Sequence, residues 1–145
     1  MELTEQIQRA WGWTGITPTE VVGENAFGNL IVRDDCSLYW RICPEDLYCQ
    51  VVAHSRVELD QLSRDQEFLH DWNMQELVEQ AEGLLGQLPL GRKYCLKIPG
   101  VLGGEYGGTN LATMELGELV LVSGRIAEQI ADLPEGATVQ LKIAD

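Results

Sequence analysis

Three β-rich runs lie so close together in the chain that only one kind of pairing can join them. FGNLIVR (Phe27 to Arg33), LYWRIC (Leu38 to Cys43) and YCQVVA (Tyr48 to Ala53) are separated by only four residues each. A parallel crossover needs a dozen or more residues, so neighbouring runs must pair antiparallel. Both connections carry turn chemistry. Aspartates in Asp34-Asp35-Cys36-Ser37 accept hydrogen bonds from the following backbone, and Pro44-Glu45-Asp46 presets a second reversal. The expectation is a three-stranded antiparallel meander.

Around the meander the apolar period becomes helical. Ile7, Ala10 and Trp11 line one side of a short N-terminal helix with Thr4 as its cap, and the glycines and proline of Trp11 to Pro18 break it. Between Glu58 and Glu82 stand eight acids against one arginine, which reads as a solvated helical face. Leu77, Val78, Ala81, Leu84, Leu85 and Leu88 recur at helical spacing as its core stripe, ended by Gly86, Pro89 and Gly91. Tyr94 to Ile98 forms a short strand stopped by Pro99, and the next nine residues, Gly100 to Gly108, contain five glycines. A second strong helix starts at about Leu116, with Leu119, Val120, Ile126, Ala127 and Ile130 at core spacing. Pro134-Glu135-Gly136 makes a turn into a last strand, Thr138 to Ile143. This order predicts one α+β domain over residues 1–145, an antiparallel sheet packed on two or three amphipathic helices. Residues 1–18 supply the short N-terminal helix and its Gly/Pro connection.

Charge excludes more than it implies. With 23 acids and 10 bases the formal net charge is -13, which opposes both nucleic-acid phosphates and anionic membrane surfaces. The N-terminus lacks the basic and apolar regions of a secretory signal, and no run approaches the ~18 apolar residues of a membrane span. A cytoplasmic location is therefore expected. Cys36, Cys43, Cys49 and Cys95 form no CxxC pair, and His54 and His70 fit no zinc spacing. They read as buried free thiols, without metal or disulfide.

No catalytic motif assembles. The glycine-rich loop lacks the Walker lysine and the GxGxxG order, and Glu105 would repel a phosphate. It reads as a tight backbone crossing. There is no GxSxG, and the acid pairs Asp34-Asp35 and Glu45-Asp46 are explained by turns. Trp11, Trp13, Trp40 and Trp72 suit either a core or a binding platform. The residues alone thus describe an acidic α+β domain with no cofactor, whose missing active site fits a protein-binding role.

The stretch Tyr94-Cys-Leu-Lys-Ile-Pro99-Gly-Val-Leu-Gly-Gly104, with Asn110 and a helix ending Glu128-Gln129-Ile130, resembles a bacterial family. It is similar to the C-terminal domain of type VI secretion immunity proteins, typified by the antidote to a DNase effector and found elsewhere after GAD-like modules. Phe27-Gly28 and the Asp34-Asp35 hairpin resemble the family's meander, so the likeness runs from about Glu20 to Ile143. The short N-terminus departs from members with a full GAD-like module.

The resemblance implies a non-enzymatic protein that binds a cognate toxin acting in the cytoplasm, a nuclease or a nucleotide- or NAD-targeting enzyme. Its acids would meet the toxin's phosphate-holding bases. Turn and loop acids project best for that purpose: Glu24, Asp34, Asp35, Glu45, Asp46 and Glu105, with Tyr106 as an aromatic anchor. The helical acids from Glu58 to Glu82 offer a rival surface. Two other readings are an effector-loading adaptor, which needs a continuous apolar groove, and a small ligand-binding regulatory domain, which needs polar groups converging near Gly103 and Glu105.

Overall fold

Backbone pairing extends the expected meander by one strand. A computed structural model describes residues 1–133 of the chain, so the expected strand Thr138 to Ile143 lies outside the described residues. Strands β1 (Pro18–Glu24), β2 (Leu30–Asp34), β3 (Tyr39–Cys43) and β4 (Tyr48–Ala53) form an antiparallel sheet in the order 1-2-3-4. β1 went unread in the sequence because Pro18 opens it, Gly23 interrupts it and two register shifts break its alternation. Phe27 and Gly28 belong to the β1–β2 turn and not to β2. Asn25 Oδ1 accepts from the backbone N–H groups of Phe27 (3.0 Å) and Asn29 (2.9 Å), and Gly28 takes φ +71°.

The two faces of this sheet pack against different helices. On one, Leu30, Val32, Ile42 and Cys49 meet Ile7, Ala10 and Trp11 of α1 (Leu3–Trp11) and Val120 and Ala127 of α5 (Leu116–Ile130). Each such fully buried aliphatic side chain contributes about 1.5–3 kcal/mol. Thr4 lies inside α1 and caps nothing; Glu2 holds the cap position without a side-chain bond. Gly124 brings the α5 backbone close to α1. A Cβ on Gly124 would stand 2.6 Å from Ala10 Cβ and overlap the Ala10 carbonyl.

On the other face Ile31, Tyr39 and Ala53 pack with Leu59, Phe68 and Trp72. The acidic middle folds as three short helices: α2 (Arg56–Leu62), α3 (Gln66–Asn73) and α4 (Gln75–Leu85). Ser55 and Asp65 cap α2 and α3 by accepting the N–H groups of Glu58 and Phe68, and Met74 alone, at φ 48°, separates α3 from α4. The expected α4 stripe is partly realised: Ala81 is buried, Leu77, Val78 and Leu88 pack beside it, and Leu84 and Leu85 are exposed.

A second sheet pairs β5 (Arg92–Leu96) with β6 (Leu111–Glu115), a strand the sequence reading assigned only as the approach to α5. Tyr94 ties this hairpin to its surroundings. Its N–H donates to the Ala26 carbonyl, its hydroxyl donates to the Gly86 carbonyl, and its ring meets Phe27 at 5.7 Å. Cys43, Cys49 and Cys95 are buried free thiols, whereas Cys36 is exposed in the β2–β3 turn. Among the described residues no helix is long and apolar enough to cross a membrane.

Two glycine substitutions check the helix packing by denaturant unfolding. Gly124→Ala should lose about 1–3 kcal/mol against the Ala10 backbone. Gly83→Ala, in α4 with open space around its Cβ position, should gain up to about 1 kcal/mol. Equal stability of the two variants would contradict the described α1–α5 contact.

Candidate functional site

Arg41 is a charge placed in the middle of an otherwise apolar strand, and the chain builds a site around it. It alternates onto the sheet face of Tyr39 and Cys43, is only 5% exposed, and therefore requires partners. Its Nη1 donates to Asp71 Oδ2 on α3 at 2.5 Å, and its Nε donates to Asn29 Oδ1 at 3.0 Å. Asn29 in turn donates through Nδ2 to both oxygens of Glu45, at 2.6 and 2.8 Å. The guanidinium also lies 5.2 Å from the Trp72 ring centroid, 5.9 Å from Phe68 and 6.0 Å from Tyr48. A chain of polar contacts thus runs from α3 through the sheet to the β3–β4 turn.

In front of it opens a cavity of about 400 Å³. Arg41, Glu45 and Tyr48 line it from the sheet side, Asp71, Glu76 and Gln80 from α3 and α4 with Met74 between them, and Asp46 and Tyr106 from the turn and the glycine loop. The loop is held to this position. Gly100 N–H donates to the Glu45 carbonyl at 2.8 Å, the Tyr106 hydroxyl donates to Asp46 Oδ1, and Gly108 N–H donates to Gln80 Oε1 at 2.7 Å. Asn110 clamps the loop internally. It accepts from Ile98 N–H and donates to the carbonyls of Ile98 (3.0 Å) and Glu105 (2.7 Å). Any Cβ on Gly104 would collide with the Ile98 carbonyl, so the tight crossing expected of this loop is present.

Electrostatics sort the candidates. Burial pushes the Glu45 carboxyl above its usual range, with the Asp46 charge adding to the rise and the Asn29 hydrogen bond opposing it. Burial and donation to Asp46 keep the Tyr106 phenol protonated. Of the sequence candidates, the cavity brings together Glu45, Asp46 and Tyr106; Glu105 is exposed in the same loop. Glu24 ends β1 at the same end of the sheet and pairs with Lys93 Nζ at 2.8 Å. Asp34 and Asp35 sit at the opposite end, because successive turns of a meander alternate ends.

Asp34 and Glu45 do not project as turn acids were expected to; they are 4% exposed each. Asp34 builds its own hairpin, accepting from the N–H groups of Cys36 and Leu38 and from the Trp40 indole at 2.9 Å. Burial would raise its pKa, but these hydrogen bonds outweigh that and hold it below the usual carboxylate value. Asp35 is exposed.

The cleft is walled partly by residues of a region that matches a known family. The family model described as T6SS immunity protein Tdi1, C-terminal, matches residues 53–127, just over half of the chain. The chain belongs to this type VI secretion immunity family. No curated protein matches it. The matched Tdi1 C-terminal region spans α2 to α5, including Asp71, Glu76, Gln80 and the glycine loop, while Arg41, Glu45 and Asp46 precede it. Arg41, Asn29 and Gln80 escaped the sequence reading, which held Asp71 and Glu76 only as members of the rival helical surface. The available signal was the lone arginine in LYWRIC, which demands a carboxylate and aromatic partners such as FLHDW supplies. Among the described residues no group of three or more His, Cys, Asp or Glu side chains is arranged to hold a metal ion.

Glu45 gives the site a pH signature. Because its folded pKa is raised from 4.5, the folded state keeps a proton that the unfolded state has released. The associated stability is full below that value and is lost as pH rises through the folded pKa. Glu45→Gln, which retains an acceptor for Asn29, should match the parent in melting temperature near pH 4 and exceed it at pH 8. A variant less stable than the parent at pH 8 would contradict the assignment.

Proposed function

We propose that this chain neutralises a cognate cytoplasm-acting effector, a nuclease or a nucleotide- or NAD-targeting enzyme, by laying the acidic cleft over its basic active site. Membership of the immunity family supports the immunity role, and with it a non-catalytic inhibitor that works in the cytoplasm. One observation supports the surface: Glu45, Asp46, Asp71 and Glu76 border one cavity in which Arg41, already bound to Asp71, is the sole arginine or lysine among the described residues. Enzymes that hold phosphates do so with Lys and Arg, and an opposed acidic patch steers association toward ~10⁸–10⁹ M⁻¹s⁻¹ at low salt.

Asp46, Glu105 and Tyr106 form the contact region, flanked by Glu24 at the same end of the sheet. Asp34 and Asp35 lie beyond it, and Asp34 is committed to its hairpin. The small-ligand reading draws on the same cavity, since polar groups do converge beside the glycine loop.

Expression of a candidate effector with and without this chain tests the role directly: the effector alone should arrest growth, and co-expression should restore it. Unaltered toxicity would reject the pairing. Charge reversal at Asp46 and Glu105 should slow association by about tenfold at low salt and flatten its salt dependence, with Asp35→Lys close to the parent. A larger effect at Asp35 than at Asp46 and Glu105 would move the interface to the other end of the sheet.

A further inference from the structure

The cavity holds more negative charge than the chain neutralises. Asp71 has Arg41, but Glu45, Asp46 and Glu76 make no ion pair among the described residues. Glu45 is the most telling of them. Its carboxylate is buried, and among the described residues its side-chain donors are one amide group, shared by both oxygens, and the Cys43 thiol. An ionised carboxylate in such a place is costly unless a cation reaches it. The walls beside it suit a flat cation: the rings of Tyr48 and Tyr106, the Met74 thioether and Leu77. At about 400 Å³ the space lies near the lower end of ligand pockets and admits one long side chain.

We propose that this cavity receives the guanidinium of one arginine side chain of the bound effector, held by Asp46 and Glu76 at its rim and by Glu45 at its inner end. The proposal rests on the effector-binding reading above and adds the chemistry of the central contact. Arginine suits the site better than lysine. Its planar fork can satisfy carboxylates on different sides at once, it stacks on tyrosine, and it gives up hydration more readily than a compact ammonium. The same molecule already holds a guanidinium in this manner, Arg41 among Asp71, Trp72, Phe68 and Tyr48. An inserted arginine would occupy the centre of the interface, where such anchors contribute most of the affinity.

The test uses the full chain and has two arms. In the first, the protein without effector is titrated with Nα-acetyl-arginine amide, with Nα-acetyl-lysine amide and with inorganic phosphate, following backbone amide signals by NMR. The arginine compound should produce saturable shifts centred on Asp46, Gln80 and Tyr106, with a millimolar Kd of the kind expected for a fragment this small (roughly 1–10 mM). The lysine compound should bind several-fold more weakly, phosphate should not bind there, and Glu76→Gln and Asp46→Asn should each weaken the arginine response. Absence of saturation, an unchanged response in both variants, or preferential binding of phosphate would overturn the proposal.

In the second arm, Glu76→Gln and Asp46→Asn should each lower effector affinity at least about tenfold, and Glu76→Gln should do so without changing the melting temperature. Glu76→Gln leaves the Tyr106–Asp46 hydrogen bond in place and so reports on the cavity alone. Protection by co-expression together with unchanged affinity in both variants would reject the arginine contact and leave the immunity reading standing. Loss of protection in the parent would reject the immunity reading itself, and with it the effector as the source of the arginine.

Discussion

A buried guanidinium sets the terms for half of this molecule. Once Arg41 faces inward from β3, it requires a carboxylate, a neutral acceptor and a polarisable surround. Those needs are met by Asp71 from α3, Asn29 from the β1–β2 turn, and the rings of Trp72, Phe68 and Tyr48. The same requirement places α3. Its C-terminal end is tied further by Asn25 Nδ2, which donates to the Trp72 carbonyl at 2.9 Å. Removing one partner of such a pair typically costs 3–5 kcal/mol when it is fully buried. Here Asp71 is largely exposed, so water screens part of the interaction. The position of α3 is thus decided by polar contacts as much as by apolar burial.

The glycine-rich loop depends on that arrangement in turn. It docks on the β3–β4 turn through Gly100 and Tyr106 and on α4 through Gly108, so three elements distant in sequence converge there. Asn110 replaces the strand pairing that the loop lacks by satisfying a donor and two acceptors of the loop backbone. Glycine is needed at 104 by close approach to the Ile98 carbonyl and not by a left-handed φ.

What could be read in advance follows from how local the cause is. The β2–β3–β4 meander, the turn at Asp34 and the core stripe of α5 were legible because short connections and periodicity act within a few residues. β1 and β6 were not, because irregular registers and short lengths mask alternation. The break at Met74 was hidden since a methionine in a left-handed conformation leaves no compositional mark. For the site, Tyr106 and Asp46 were found as loop and turn residues. The burial of Glu45 depends on Asn29 sixteen residues away, and the importance of Asp71 on Arg41 thirty away. A list of acids by position along the chain could not separate structural carboxylates from available ones.

The junction at Met74 has a mechanical consequence. One residue joins the helix that carries Asp71 to the helix that carries Glu76 and Gln80, with no intervening loop to absorb change. The angle between these two helical walls of the cleft therefore turns on the torsions at a single α-carbon. α1 and α5, which hold the opposite face of the sheet, take no part in it. A lineage can then retune the width and charge of its binding mouth by substitutions around this joint while the apolar layer that keeps the chain folded stays as it is.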